Sequence, residues 1–232
     1  MGLTVHYTIK FDGTQKELVN KLNSIRSKCL DLPFQEVGEV KTAKITQNII
    51  NEFNSWQRNT NYPNNSEENL KQRDMALEKL GVSTWIMVEA GIFRQDGNSC
   101  WRELKPTSSV SLFIWPGKGC ESCDLNFYKR GKKFVAKSFC KTQYALDFKH
   151  CHLLVIKLLD MLKKEEGFDV EVHDEGHYWE TRDMKVLAKE LGDYRILVEK
   201  IGGQLKAAFG EENIQTAADD VFDDEVIPPK NR

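Results

Sequence analysis

Three stretches of the chain carry side chains able to do chemistry. The first combines thiols and imidazoles: Cys120 and Cys123 in Cys120-Glu121-Ser122-Cys123, then Cys140, then His150-Cys151-His152. Zinc takes four thiolate or imidazole ligands in a tetrahedron, and a Cys-x2-Cys pair beside a tight turn presents two of them together. Cys120 and Cys123 are therefore candidate ligands for zinc or another divalent cation. The remaining residues lack the matching spacing. Cys140 and Cys151 are eleven residues apart, and on a helix His150 and His152 point about 200° apart. The competing reading puts Cys120 and Cys123 beside a hairpin, Cys151 in the core and His150 on the surface.

The second stretch is Cys140-Lys141-Thr142-Gln143-Tyr144, at the end of a strand pattern and ahead of a helical one. Lys141 and a nearby helix N-terminus would both favour a thiolate at Cys140. His152, about two turns into that helix, would reach Cys140 only if the chain folds back. Against this stands the tendency of free cysteine to be buried and inert.

The third stretch, His173-Asp174-Glu175-Gly176-His177-Tyr178-Trp179-Glu180-Thr181-Arg182-Asp183, links a strand to a helix and is the densest in chemically able groups. Binding groups collect on loops held by strand ends. Asp174 and Glu175 are candidates to bind a cation or to act as acid and base, Arg182 and Lys141 to hold an anionic group, and Trp179 to form an apolar wall. His173 and His177 do not make a His-Glu-x-x-His zinc helix, because a strand precedes them and Gly176 intervenes. The plainer alternative is a charged turn, with Trp179 as an anchor and Asp183 as a helix cap.

Other signals close off whole classes. Trp115-Pro116-Gly117-Lys118-Gly119-Cys120 lacks the glycine and hydroxyl spacing of a phosphate loop, so it reads as a tight turn. The formal net charge is −2, but residues 211–232 alone carry −5, which leaves the rest near +3. That surplus is too small to point to nucleic acid. No apolar run is long enough to span a bilayer, and the N-terminus lacks a secretory pattern. Six cysteines without such a pattern read as reduced thiols in the cytoplasm.

Elements that must position these groups follow from periodicity. Leu3, Val5, Tyr7 and Ile9 alternate with polar residues, which predicts a half-buried strand. Thr14 and Glu17 form a capping box ahead of Leu18, Leu22, Ile25 and Cys29 at helical spacing. Residues 36–46 hold a weaker strand pattern, Ile49 to Trp56 a short helix or irregular apolar segment, and Ser66 to Gly81 a capped helix. Short β-favouring runs from 82 to 144 predict an antiparallel meander, with 57–66 and 94–107 as loops. Leu146 to Glu166 is apolar nearly all round, so it belongs centrally against the sheet. A strand from Phe168 and helices after Asp183 and Gly192 complete the pattern. The fold class expected is α+β, a mostly antiparallel sheet with three or four helices over residues 1–210, either one domain or two lobes divided near 60–82. Residues 211–232 read as an acidic, mobile tail.

Met1-Gly2-Leu3-Thr4-Val5-His6-Tyr7, Asp31-Leu32-Pro33-Phe34, Trp115 to Glu121, Ser138 to Ala145 and Asp174 to Glu180 together resemble a family of uncharacterised bacterial proteins of similar length. The resemblance implies a cytoplasmic bacterial protein and brings no activity, cofactor or fold with it. Two functions are expected from the residues. One is a small-molecule-binding protein or enzyme with a cleft formed by the 174–182 loop, the 115–121 turn and the 140–143 strand end. The other is a non-enzymatic interaction module whose acidic tail meets a protein partner.

Overall fold

The computed structural model describes residues 3–59, 75, 92–96, 99–103, 105–165 and 167–192. The expected lobe boundary near 60–82, most of the helix from Ser66 to Gly81, the strand over 82–88, the helix after Gly192 and the acidic tail lie outside the described residues.

Strand β1 (Thr4–Asp12) alternates as its sequence requires: Val5, Tyr7, Ile9 and Phe11 are buried, while His6 and Asp12 are exposed. Two strands flank it, both antiparallel: β9 (Lys133–Lys141) on one side and β10 (Phe168–Asp174) on the other. Beyond β9 come β8 (Leu125–Arg130), β6 (Thr107–Leu112) and β3 (Lys41–Ile45), giving the order β10-β1-β9-β8-β6-β3 with every neighbour antiparallel. The expected meander is therefore present as β6-β8-β9. Two short pairs stand apart from this sheet, β2 (Glu36–Val37) with β7 (Ile114–Trp115), and β4 (Ile92–Asp96) with β5 (Ser99–Glu103). The β4–β5 pair corrects the expected loop over 94–107.

Helix α1 (Gln15–Leu30) starts on the capping box read from the sequence. The Thr14 hydroxyl accepts the Glu17 N–H at 3.2 Å, and the Glu17 carboxylate accepts the Thr14 N–H at 2.7 Å. Such a cap is worth about 1 kcal/mol. Leu18, Leu22, Ile25 and Cys29 form its buried stripe. Helix α2 (Gln47–Asn59) resolves the ambiguous 49–56 segment as a helix, with Ile49, Ile50 and Phe53 buried.

Helix α3 (Phe148–Lys164) buries residues around most of its circumference. Leu154, Val155, Leu158, Leu159 and Leu162 are among them, each contributing roughly 1.5–3 kcal/mol of burial. Val155, Leu158, Leu159 and Leu162 join the stripe of α1 and the odd face of β1 in one core. On another side, Phe148 meets Leu3 and Leu187 in a smaller cluster. Glu165, just past α3, binds Lys28 at 2.5 Å and Lys21 at 3.6 Å on α1. The chain then passes through β10 to a single turn α4 (Tyr178–Thr181), and residues 184–192 are helical. Asp183 accepts the Lys185 N–H at 2.8 Å, the cap expected of it.

Two left-handed glycines make a controlled comparison. Gly131 (φ +63°), in the β8–β9 turn, has open space where a side chain would go. Gly119 (φ +80°) is backed by the Tyr144 carbonyl, which a Cβ would overlap. Gly131→Ala should cost only the backbone penalty of about 1–2 kcal/mol. Gly119→Ala adds a clash against main chain and should cost about 3 kcal/mol or more. Urea unfolding midpoints of the two variants measure the difference.

Candidate functional site

The three chemical stretches converge at one end of the sheet. The register brings this about: Val5 of β1 lies between Cys140 of β9 and Asp174 of β10, all three on the core face. The 115–121 turn folds onto the end of β9. Glu121 donates its N–H to the Lys141 carbonyl at 3.0 Å, and Leu146 donates to the Lys118 carbonyl at 3.1 Å. Gly117 allows α3 to approach, because a Cβ there would stand 2.6 Å from the Cys151 sulfur. The Trp115 indole N–H closes the turn on the Cys120 carbonyl at 2.9 Å.

Four thiols meet in this junction. The Cys120 and Cys140 sulfurs are 3.6 Å apart. Cys151, on the α3 side, also bears on the ionisation of Cys120, and Cys123 on that of Cys140. Cys123 then donates to the Tyr7 hydroxyl at 3.6 Å, and Tyr7 donates to the Asp124 carbonyl at 2.9 Å. Cys140 and Cys123 are fully buried and Cys151 is 2% exposed, whereas Cys120 keeps 7% exposure.

The thiols do not share their protons equally. Hydrogen bonds from Cys140 and Cys151 hold Cys120 down to about 5, against the burial that opposes it, and the His152 imidazole adds to the effect. Cys140 is pushed well above the ordinary range by the same bond to Cys120, by Cys123 and by burial. Cys151 is raised by its bond to Cys120 and by burial. The single Cys140 proton has two acceptors, the Cys120 sulfur and the Glu121 carbonyl at 3.1 Å.

Next to the thiols lies a closed polar relay. His152 is wholly buried. Its Nδ1 meets the Thr142 hydroxyl at 3.0 Å and its Nε2 meets Asp174 Oδ2 at 3.2 Å. Asp174 Oδ2 also accepts the Trp179 N–H at 2.9 Å, and Oδ1 accepts the Gly176 N–H at 2.8 Å. Burial alone would raise the Asp174 carboxyl, but the bond and charge of His152 and the two backbone N–H groups outweigh it and hold the group below its usual value.

Several expected roles change with this geometry. The neighbours favour ionisation at Cys120, which the sequence offered as a metal ligand, and oppose it at Cys140. Lys141 cannot serve Cys140, because adjacent strand residues point to opposite faces. The Lys141 ammonium lies 3.9 Å from Glu121 and over the Phe139 ring. Helix α3 begins only at Phe148, well past the strand end. The chain does fold back, yet His152 bonds to Thr142 and Asp174 and not to Cys140.

Asp174 is buried at the end of β10, while Glu175 lies in the turn that follows and binds elsewhere, so they do not form a cation pair. Glu175 instead accepts the Thr4 N–H at 2.9 Å and lies 3.6 Å from His6. Arg182 makes a two-pronged bond to Asp160, both contacts 2.8 Å, and so does not wait for an anion. Trp179 is clamped between Lys163 and Arg182, at 5.2 and 4.6 Å from its ring. The Cys120 sulfur lies 3.6 Å from Cys140, and Cys123 donates to the Tyr7 hydroxyl. Among the described residues, no group of three or more His, Cys, Asp or Glu side chains is arranged to hold a metal ion.

Thr142 and Tyr7 are parts of the site that sequence reasoning missed. A lone Thr in a strand end and a Tyr in an alternating strand carry no signal of their own. A shallow depression of about 420 Å³ on the opposite sheet face, lined by His6, Lys137, Phe139 and His173 among others, was equally silent. No protein-family model matches the chain, nor does any curated protein or solved structure.

The Asp174 bonds identify it as a brace. Asp174→Asn cannot accept all three N–H groups, so it should lose about 3 kcal/mol of stability. The sign with pH follows from the lowered carboxyl. Its contribution is present above the unfolded value of about 4 and is lost as pH falls through the lower folded value. Unfolding titrations of wild type and variant between neutral and acid pH should converge at the acid end.

Proposed function

We propose that this chain is a small-molecule-binding protein or enzyme that works through a cysteine thiolate, with Cys120 as the nucleophile. One observation carries the reading: the Cys120 sulfur lies 3.6 Å from that of Cys140, and Cys120 is the least buried residue of the thiol cluster. A thiolate needs donors around it and a path to its reagent. Cys140 and Cys151 supply the donors, and the glycine turn carries Cys120 at the edge of the cluster.

The site so defined keeps two parts of the expected cleft, the 115–121 turn and the 140–143 strand end. The third part, the 174–182 bend, supports it from behind. Asp174 and His152 are positioning residues, because both are fully buried and their polar atoms are taken by protein partners. Thr142 joins the brace to the thiol strand, two residues after Cys140.

Unbridged thiols at such close range fit a reducing compartment, which supports a cytoplasmic location. No helix among the described residues is long and apolar enough to cross a membrane. The alternative, a protein-interaction module using the acidic tail, rests on residues 211–232, which lie outside the described residues.

Iodoacetamide labelling of the folded protein across pH tests the reading. One thiol should alkylate at a rate that climbs through about pH 5 and is level at neutral pH, whereas a free cysteine titrates near 8.5. Peptide mapping should locate the adduct at Cys120, and Cys120→Ser should remove it. Labelling that occurs only on unfolding would reduce the cluster to core packing.

A further inference from the structure

Resting on the reading of Cys120 as nucleophile, its surroundings narrow the class of substrate. Both ring nitrogens of His152 are engaged, one by Thr142 and the other by Asp174, at 3.0 and 3.2 Å. The imidazole therefore faces no substrate and cannot protonate a departing amine or alcohol as acyl transfer requires. Cys120 is the least buried residue of the thiol cluster, at 7% exposure, so its surroundings suit a small reagent better than a bulky one. A second thiol stands 3.6 Å away on the same side of the turn, within a short closing movement of the 2.05 Å of a disulfide.

We propose that Cys120 reduces a small hydroperoxide and that Cys140 resolves the product as a Cys120–Cys140 disulfide. The Cys120 thiolate attacks the terminal peroxide oxygen. The O–O bond breaks, the sulfur becomes a sulfenic acid, and the alkoxide or hydroxide leaves. The leaving alkoxide or hydroxide takes its proton from solvent water. The Cys140 sulfur then attacks the sulfenic sulfur, forming the S–S bond and releasing water. Two thiols are oxidised and one hydroperoxide is reduced to an alcohol or water. An external dithiol returns the pair to its starting state by exchange.

The Glu121 carbonyl, 3.1 Å from Cys140, holds the resolving thiol's proton while Cys120 is oxidised. Closing the pair draws the turn and the β9 end together, and these are already tied by the Glu121 N–H to the Lys141 carbonyl. Cys123 lies on the far side of Cys140 and is not needed.

The test treats the folded full-length chain with one equivalent of hydrogen peroxide and follows it by mass spectrometry. The expected result is loss of two hydrogen atoms, with peptide mapping joining Cys120 to Cys140. The reaction should run about tenfold or more faster than with free cysteine at the same pH. In Cys140→Ser the reaction should stop at a Cys120 sulfenic acid, which a β-diketone probe captures. A bridge from Cys120 to Cys151 would overturn the role of Cys140. If iodoacetamide labels Cys120 rapidly but peroxide reacts no faster than with free cysteine, the substrate class falls and the nucleophile stands. If neither reagent reacts with the folded chain, both readings fall.

Discussion

The pairing of Val5 with Cys140 on one side and Asp174 on the other is the constraint on which this architecture turns. A one-residue slip of either neighbour would turn its whole core set to the opposite face. Cys140 would leave the thiols, or Asp174 would leave His152. The register is protected by the apolar row behind it. Tyr7, Ile9 and Phe11 pair with Ser138, Ala136 and Phe134 on β9, and with Val172, Val170 and Phe168 on β10. Packing along the full length of β1 thus fixes the positions of polar groups at its end.

Helix α3 reads that register and divides it between two tasks. Cys151 and His152 are consecutive, so their side chains leave the helix about 100° apart. Cys151 reaches the glycine turn and the thiols, while His152 reaches Thr142 and Asp174. A buried carboxylate and imidazole are costly unless each polar atom is matched. Here Asp174 has three N–H donors and His152 a partner on each nitrogen. Such a relay adds rigidity to the end of β9, because Thr142 follows Cys140 by two residues. That rigidity is supplied by Thr142, His152 and Asp174, all of them fully buried.

Much of the scaffold was legible in the chain. The alternation of Leu3 to Ile9, the Thr14–Glu17 box and the all-round apolarity of 146–166 are local signals, and each produced the element it implied. The meander was legible because β-favouring runs and turn residues alternate. Strands β4 and β5 overlap the 94–107 stretch read as a loop, because both are short and rich in polar residues. At the site, the fold carries the three stretches to one end of the sheet, but the partners of the residues within them were not legible. Which neighbour a Cys or Asp meets depends on strand register and helix rotation, which spacing alone does not give. Strand alternation did contain a usable clue: it separates Cys140 from Lys141, a pairing that was expected to cooperate.

The contrast between Cys120 and Cys140 shows how a fold differentiates identical side chains. Both are largely buried, and burial by itself raises a thiol. What separates them is topology. Cys140 is set in a central strand, walled by β1 and by Cys123, with a backbone carbonyl drawing on its proton. Cys120 sits on a turn whose glycines let α3 and the 144–146 segment close around it. It collects hydrogen bonds from two directions while keeping a residue of solvent contact. Ionisation is thereby favoured at Cys120, the less buried residue, and disfavoured at Cys140. An ordered pair of this kind is the minimum that directional thiol chemistry requires, since two equivalent buried thiols would give neither a defined attacker nor a defined resolver.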